Sequence, residues 1–364
     1  MYSKIIIFYF YKRFFSEDEN EKKKEYENIF PFEFDNNTLI SKYTGLSITS
    51  PQIRDPKEEL AFTYPFNRML DAIHFAYKTK YPLIIESPTG FGKKTSIEYF
   101  KKCLNLIEDN NNNEYDFVVH VPLSNSTTIE DLFCKVKPIT KENGDLVFEE
   151  IPSNFLKAIN KETCKNNTFV VIENLEQASK TILESLIPVF NNNSDEQILL
   201  PNGKEINKGE FTLIATYDPN FKNSSALNSL IKGILDSSII FTLSDFHKKD
   251  YEIICKNIFR KEILDEDFKN EISQFIDDIV KLSNILYKQQ IKERITINDL
   301  RKFYYFRKET INIIDYQSIF KLLFIQRFIG IINMKLILNE FKFNYHDRIC
   351  PIYGLNLILN LIKN

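Results

Sequence analysis

The chain has 364 residues, 43% of them hydrophobic, with 47 basic side chains against 50 acidic ones. That is enough apolar chain for one large or two smaller packed domains, and the near balance of charge gives no electrostatic reason to expect direct nucleic-acid contact or an anionic membrane. Five scattered cysteines, with no C-x-x-C pair and no clustered histidines, argue against zinc and suit an intracellular, reducing setting, cytoplasmic or nuclear.

The N-terminal apolar run Ile5–Tyr11 is too short to span a bilayer and lacks a small-residue cleavage site, so it reads as a short buried strand or a fragment of an upstream element. The SEDENEKKKEYEN segment after it is a solvated charged linker, and residues 1–59 are assigned to an N-terminal extension. From about residue 60 the pattern is regular. Phe66–Tyr77 has helical apolar spacing, Tyr81–Glu86 is a short apolar run, and Thr95–Leu106 is helical again. Further buried strands are expected at Phe117–Val121, Thr168–Ile172, Phe211–Ala215 and Ser238–Leu243. Helices are expected between them at Thr128–Phe133, Ser153–Ile159 and Ala178–Phe190. Strands alternating with helices predict a five-stranded parallel sheet covered on both faces. Two hairpin insertions interrupt it, turning at Asn143-Gly144 and Asn202-Gly203, while the asparagine runs at Asn110–Asn113 and Asn191–Asn193 read as loop filler. After about Asp245 the runs EISQFIDDIVKLSNILY and DYQSIFKLLFIQRFIGIINMKLILNEF are amphipathic and helical. The chain therefore divides into an extension (1–59), an α/β core (60–245) and a helical domain with C-terminal helices (246–364).

Between the first strand and its helix lies ESPTGFGKKT, close to the phosphate-cradling pattern G-x-x-x-x-G-K-[ST]. Ser87 replaces the first glycine and Lys94 replaces the hydroxyl. Pro88, Thr89, Gly90, Phe91, Gly92 and Lys93 complete the loop, and Thr95 follows it. Backbone N–H groups and a helix N-terminus receive phosphates in such a loop. A serine at position 87 is a modest penalty if its φ is negative. Lys94 matters more, because an ammonium cannot ligate Mg²⁺. Thr95 points about 100° further round the helix.

Three further segments follow in order: VPLSNSTTIEDLF (121–133), TFVVIENLEQAS (168–179) and FTLIATYDPN (211–220), with ITINDLRKF (295–303) opening a helix in the second part. Together with the loop, they resemble the dynein-related branch of AAA+ ATPases, and most closely the modules of midasin, from about Thr63 to about Phe343. The resemblance implies an AAA+ P-loop NTPase core with a C-terminal α-helical lid, and ATP as cofactor. It matches Glu173 to the Walker B carboxylate that holds Mg²⁺, Asn174 to the glutamate that polarises water, and Asp218 to the sensor asparagine. An amide cannot take a proton from water, and loss of a general base costs about 10²- to 10⁴-fold. Ile234 falls where the trans-acting arginine is expected, with Lys232 nearby, and Asn298 falls at the second sensor with Arg301 one turn on.

These departures favour a pseudo-ATPase: a module that binds ATP with weak or no hydrolysis and acts in an assembly. An active remodelling ATPase of the ribosome-assembly type and an architectural module without nucleotide are the alternatives. A related GTPase would need a guanine-reading motif, and none is recognisable. The resemblance implies other AAA+ modules or protein assembly partners, arranged in a ring. Midasin's nuclear work on ribosomal subunits depends on parts that this sequence does not include, so ribosome biogenesis enters as an analogy.

Overall fold

The structure, a computed structural model, describes residues 30–325, 327 and 341, less positions 36, 51–52, 54, 57–59, 107–115, 141–145, 166, 192–196, 201–202, 222–223, 244, 260–265, 290, 292 and 311–315. Ile5–Tyr11, the charged segment after it, Asn110–Asn113, Asn143-Gly144, Asn192–Asn193, Asn202 and nearly all of 326–364 lie outside the described residues.

Two compact units emerge. The first comprises Met1–Glu58, Tyr64–Pro88 and Gly92–Ser244; the second comprises Glu59–Thr63, Thr89–Phe91 and Asp245–Asn364.

In the first unit five strands form one parallel sheet: β4 (Leu83–Glu86), β5 (Asp116–Pro122), β8 (Asn167–Glu173), β11 (Thr212–Tyr217) and β12 (Ile239–Thr242), in the order β12-β4-β11-β8-β5. Each expected strand is present, shifted by one or two residues. Phe169, Val170, Val171 and Ile172 are all fully buried, as a strand covered on both faces requires. Helices α1 (Tyr64–Thr79), α2 (Lys93–Cys103), α3 (Ile129–Leu132), α4 (Asn154–Ile159), α5 (Lys180–Phe190) and α6 (Ser225–Asp236) connect and cover the sheet. Several start on a capping serine or threonine. Ser153 Oγ accepts the Leu156 N–H at 3.0 Å, and Thr128 with Asp131 forms a reciprocal capping box.

The two insertions are antiparallel hairpins: β6 (Cys134–Thr140) with β7 (Leu146–Pro152), and β9 (Gln197–Leu199) with β10 (Glu205–Asn207). Gly203 takes a φ of 80°, the left-handed conformation that its tight turn needs.

One element has no counterpart in the periodicity analysis. Inside the segment read as extension and linker, β1 (Phe32–Asp35), β2 (Thr38–Ser41) and β3 (Ser47–Thr49) form an antiparallel meander. It packs on α1, where the Leu39 carbonyl lies 3.3 Å from His74 Nε2 and Ser41 Oγ donates to Asp71. Strands of three or four residues separated by single turns carry too short an alternation to stand out.

The second unit is helical, with α7 (Lys248–Ile258), α8 (Glu266–Lys288), α9 (Ile297–Thr310) and α10 (Tyr316–Phe320). The first amphipathic run falls on α8 and the start of the second on α10, most of the rest lying outside the described residues; α7 is not anticipated. Phe275 and Phe303 stack at 3.8 Å with an interplanar angle of 7°, and Arg307 forms a two-pronged bond to Glu271, with Nη2–Oε2 at 2.9 Å.

Candidate nucleotide site

The parallel order sets three strand ends side by side. β11 lies between β4 and β8, with Tyr217 opposite Glu86 and Ala215 opposite Ile172. The polar residues that follow each strand, Ser87, Asp218 and Asn174, thus gather at the carboxyl edge of the sheet, where α/β folds receive ligands.

The loop leaves β4 anchored. Ser87 is 1% exposed and donates its N–H to the Tyr217 carbonyl at 3.0 Å. Its φ is not positive, so a serine replaces the glycine there without backbone strain. Gly90 and Gly92 carry the turn at φ 92° and 89°, and Gly92 caps α2. Pro88 is half-buried, and Thr89 and Thr95 are exposed. Phe91 is buried and stacks on Phe246 at 5.0 Å within the second unit. In that unit the Ile297 N–H also donates to the Gly90 carbonyl at 3.1 Å. A side chain on Gly90 would meet Thr296 Cβ at 2.9 Å.

Lys93 opens α2 and bends back over its own loop. Its ammonium donates to the Ser87 carbonyl and, at 3.3 Å, to that of Pro88. Burial lowers its pKa, and the Asp218 and Glu176 carboxylates act in the opposite direction. The electrostatic partners of the lysine therefore lie just after β11 and on the turn after β8.

Glu173 ends β8 at 22% side-chain exposure. Lys94 Nζ lies 3.9 Å from its Oε1, and His120 Nδ1 lies 3.7 Å from the same oxygen. His120 Nε2 is 2.9 Å from Lys101 Nζ, which also bonds Glu98 at 3.1 Å.

Asn174 sits in the left-handed region at φ 61°, ψ 54°, with its N–H on Thr216 Oγ1 at 3.0 Å. It begins the short 3₁₀ turn Leu175–Gln177. Asparagine tolerates this backbone better than most side chains. Asp218 accepts the Asn220 N–H at 3.0 Å in an Asx turn, and its own N–H donates to Glu176 Oε2 at 3.0 Å.

Glu176 is the site residue that motif reading passes over. It is 5% exposed, and burial raises its pKa, with the Asp218 N–H and Lys93 acting against that. Its only sequence signal is an acid inside an otherwise apolar, amide-rich turn. His120 is likewise absent from the motif comparison and is reached only through space.

One other position is placed differently from its motif role. Ile234, aligned with the trans-acting arginine, is fully buried on the inner face of α6, whereas Lys232 is exposed. A residue at 234 faces the core and cannot reach out to another subunit. Asp131 spends its carboxylate on the α3 cap and on Lys135 at 3.0 Å, which hold its pKa down. Asn298 and Arg301 lie exposed on α9 of the second unit.

The fit to ATP and to magnesium differs. Left-handed glycines, a loop lysine and an eleven-residue helix starting beneath it suit phosphates. The donor set does not suit a divalent metal. Lys94 stands in place of the hydroxyl, and the buried Ser96 Oγ, two positions on, donates to the Lys93 carbonyl at 2.7 Å. Among the described residues, no group of three His, Cys, Asp or Glu side chains could hold a metal ion.

A glycine loop between the first strand and its helix, at the carboxyl edge of a parallel sheet with a fourth strand inserted beside the first, defines a P-loop NTPase domain. Residues 82–232 match the AAA domain of the dynein-related subfamily, so the chain carries an AAA+ ATPase module there. A solved structure of NtrX from Brucella abortus is similar at a TM-score of 0.34 and 11% identity, covering 79% of this chain and 69% of that one. No curated protein gives a significant match. No helix among the described residues is long and apolar enough to cross a membrane.

Proposed function

We propose that this AAA+ module binds ATP on the loop Ser87–Thr95 and hydrolyses it weakly or not at all. Lys93 and the N-terminus of α2 would hold the phosphates. The observation that carries the reading is Asn174. The residue after the strand-end carboxylate Glu173 is an amide in a left-handed turn, its N–H committed to Thr216. Neither its chemistry nor its backbone supplies a base for water. Of the carboxylates close by, Glu176 already accepts the Asp218 N–H and Asp218 the Asn220 N–H. The buried Ile234 adds that α6 offers no arginine at that position to a neighbouring nucleotide.

In this reading the module serves a macromolecular assembly, a ring of AAA+ modules or other protein partners, in the manner of the midasin modules its motifs resemble. A role in ribosome biogenesis, in the nucleus or cytoplasm, follows from that resemblance alone.

The test is calorimetry of ATP binding with phosphate release measured on the same preparation. Saturable binding with negligible release is expected. Turnover on the order of one per second would overturn the reading in favour of an active remodelling ATPase. No binding at roughly millimolar ATP would leave an architectural module.

A further inference from the structure

We propose that this site takes nucleotide phosphates without a divalent cation, the Lys94 ammonium standing where the metal would act; the inference rests on the nucleotide-binding reading above. Four observations support it.

The first is position. Lys94 directly follows the phosphate-binding lysine in the first turn of α2, where an oxygen ligand for a metal would be needed, and it brings only N–H donors. The second is pairing. Lys94 Nζ is 3.9 Å from Glu173 Oε1, and His120 Nδ1 approaches the same oxygen to 3.7 Å. The carboxylate that would face a metal already faces nitrogen on two sides. A divalent ion entering there would meet the ammonium as a like charge.

The third concerns the hydroxyls that follow Lys94 on α2. Ser96 Oγ is tied to the Lys93 carbonyl and its residue is fully buried, while Thr95 faces solvent one position round the helix. The fourth is the charge of the helix end. The first turn of α2 holds Lys93 and Lys94 and no acidic residue. Cations at a helix N-terminus oppose its dipole. An arriving anion relieves that conflict for both lysines together. Free triphosphate carries more negative charge than its magnesium complex, so it is the better match to a site that has two resident ammonium groups. The Lys94 side chain is 75% exposed, which leaves it free to exchange its weak pairing with Glu173 for a phosphate oxygen.

The experiment is ATP titration by calorimetry, in excess EDTA and in excess magnesium, on the full chain and on Lys94→Ala and Lys94→Thr. The exposed position makes both variants compatible with folding, which circular dichroism would check. For the unaltered chain the two affinities are expected to agree within about twofold, a fraction of one kcal/mol. Lys94→Ala is expected to lose about tenfold in EDTA. Lys94→Thr, with its hydroxyl restored beside Glu173, is expected to bind more tightly with magnesium than without. A tightening of about tenfold or more by magnesium in the unaltered chain would overturn the inference while leaving nucleotide binding intact. An unchanged affinity of Lys94→Ala in EDTA would overturn the role of Lys94. Absence of binding in both buffers would instead remove the nucleotide-binding reading itself, and this inference with it.

Discussion

Lys93, Asn174 and Gly90 each carry a role that one substitution tests. The Lys93 ammonium rests on two loop carbonyls and faces Asp218 and Glu176, so it holds its place before any phosphate arrives. Lys93→Ala is expected to weaken ATP binding by at least about tenfold, as loss of a partly buried charge contact does, with little change in melting temperature. Calorimetry and a thermal scan check this together. Asn174→Glu tests whether a carboxylate after Glu173 is by itself enough for hydrolysis. Glutamate at φ 61° costs about 1 kcal/mol against asparagine. The variant should melt a few degrees lower. It should remain a poor catalyst, because Lys94 still faces Glu173; phosphate release rising to the order of one per second would refute that. Gly90→Ala combines a φ of 92° with a 2.9 Å approach to Thr296 Cβ, so it should destabilise the chain by more than the ~1 kcal/mol of an unhindered left-handed alanine. A guanidinium titration reads the difference.

At the scale of elements, the meander β1–β3 and helix α1 share a buried histidine. His74 is fully buried, and burial pushes its pKa down to about 4 from 6.5, with the Leu39 carbonyl acting the other way and Lys78 adding a small further lowering. Below pH 6.5 the unfolded chain takes up a proton that the folded chain refuses. The stabilisation is therefore complete above pH 6.5, falls as the pH drops toward 4, and is gone below it. The drop is worth about 3 kcal/mol. Denaturant midpoints from pH 7.5 to 4 would show it, and His74→Gln should flatten that part of the slope. The meander was not legible because its strands are three or four residues long, whereas the five sheet strands announce themselves as continuous apolar runs. Of the helices, α7 is not legible because Lys248, Lys249, Asp250, Glu252 and Lys256 interrupt its short apolar pattern.

Across the whole molecule, the same meander ties the N-terminal segment into the first unit. Phe32, Leu39 and Ile48 are each at most 5% exposed. Burying such side chains is worth about 1.5–3 kcal/mol apiece. Removing residues 1–58 should therefore lower the melting temperature sharply or leave the chain insoluble. An unchanged melting temperature would show that the core folds without it.

The α/β alternation, the loop that opens α2 and the sheet of five strands could be read in one dimension. Each rests on local periodicity and on residues adjacent in the chain. The family resemblance rests likewise on short ordered motifs. Motif letters also located Glu173, Asn174 and Asp218, but not what those residues touch. The pairing of Lys94 with Glu173, the approach of His120 to that carboxylate, the buried Glu176 beside Lys93 and the inward turn of Ile234 join positions tens of residues apart. They exist only because parallel strands align their carboxyl ends and helices turn one face to the core. The backbone signs at Ser87 and Asn174 belong to the same level: a letter shows which residue is present, and the fold shows whether its φ must be positive.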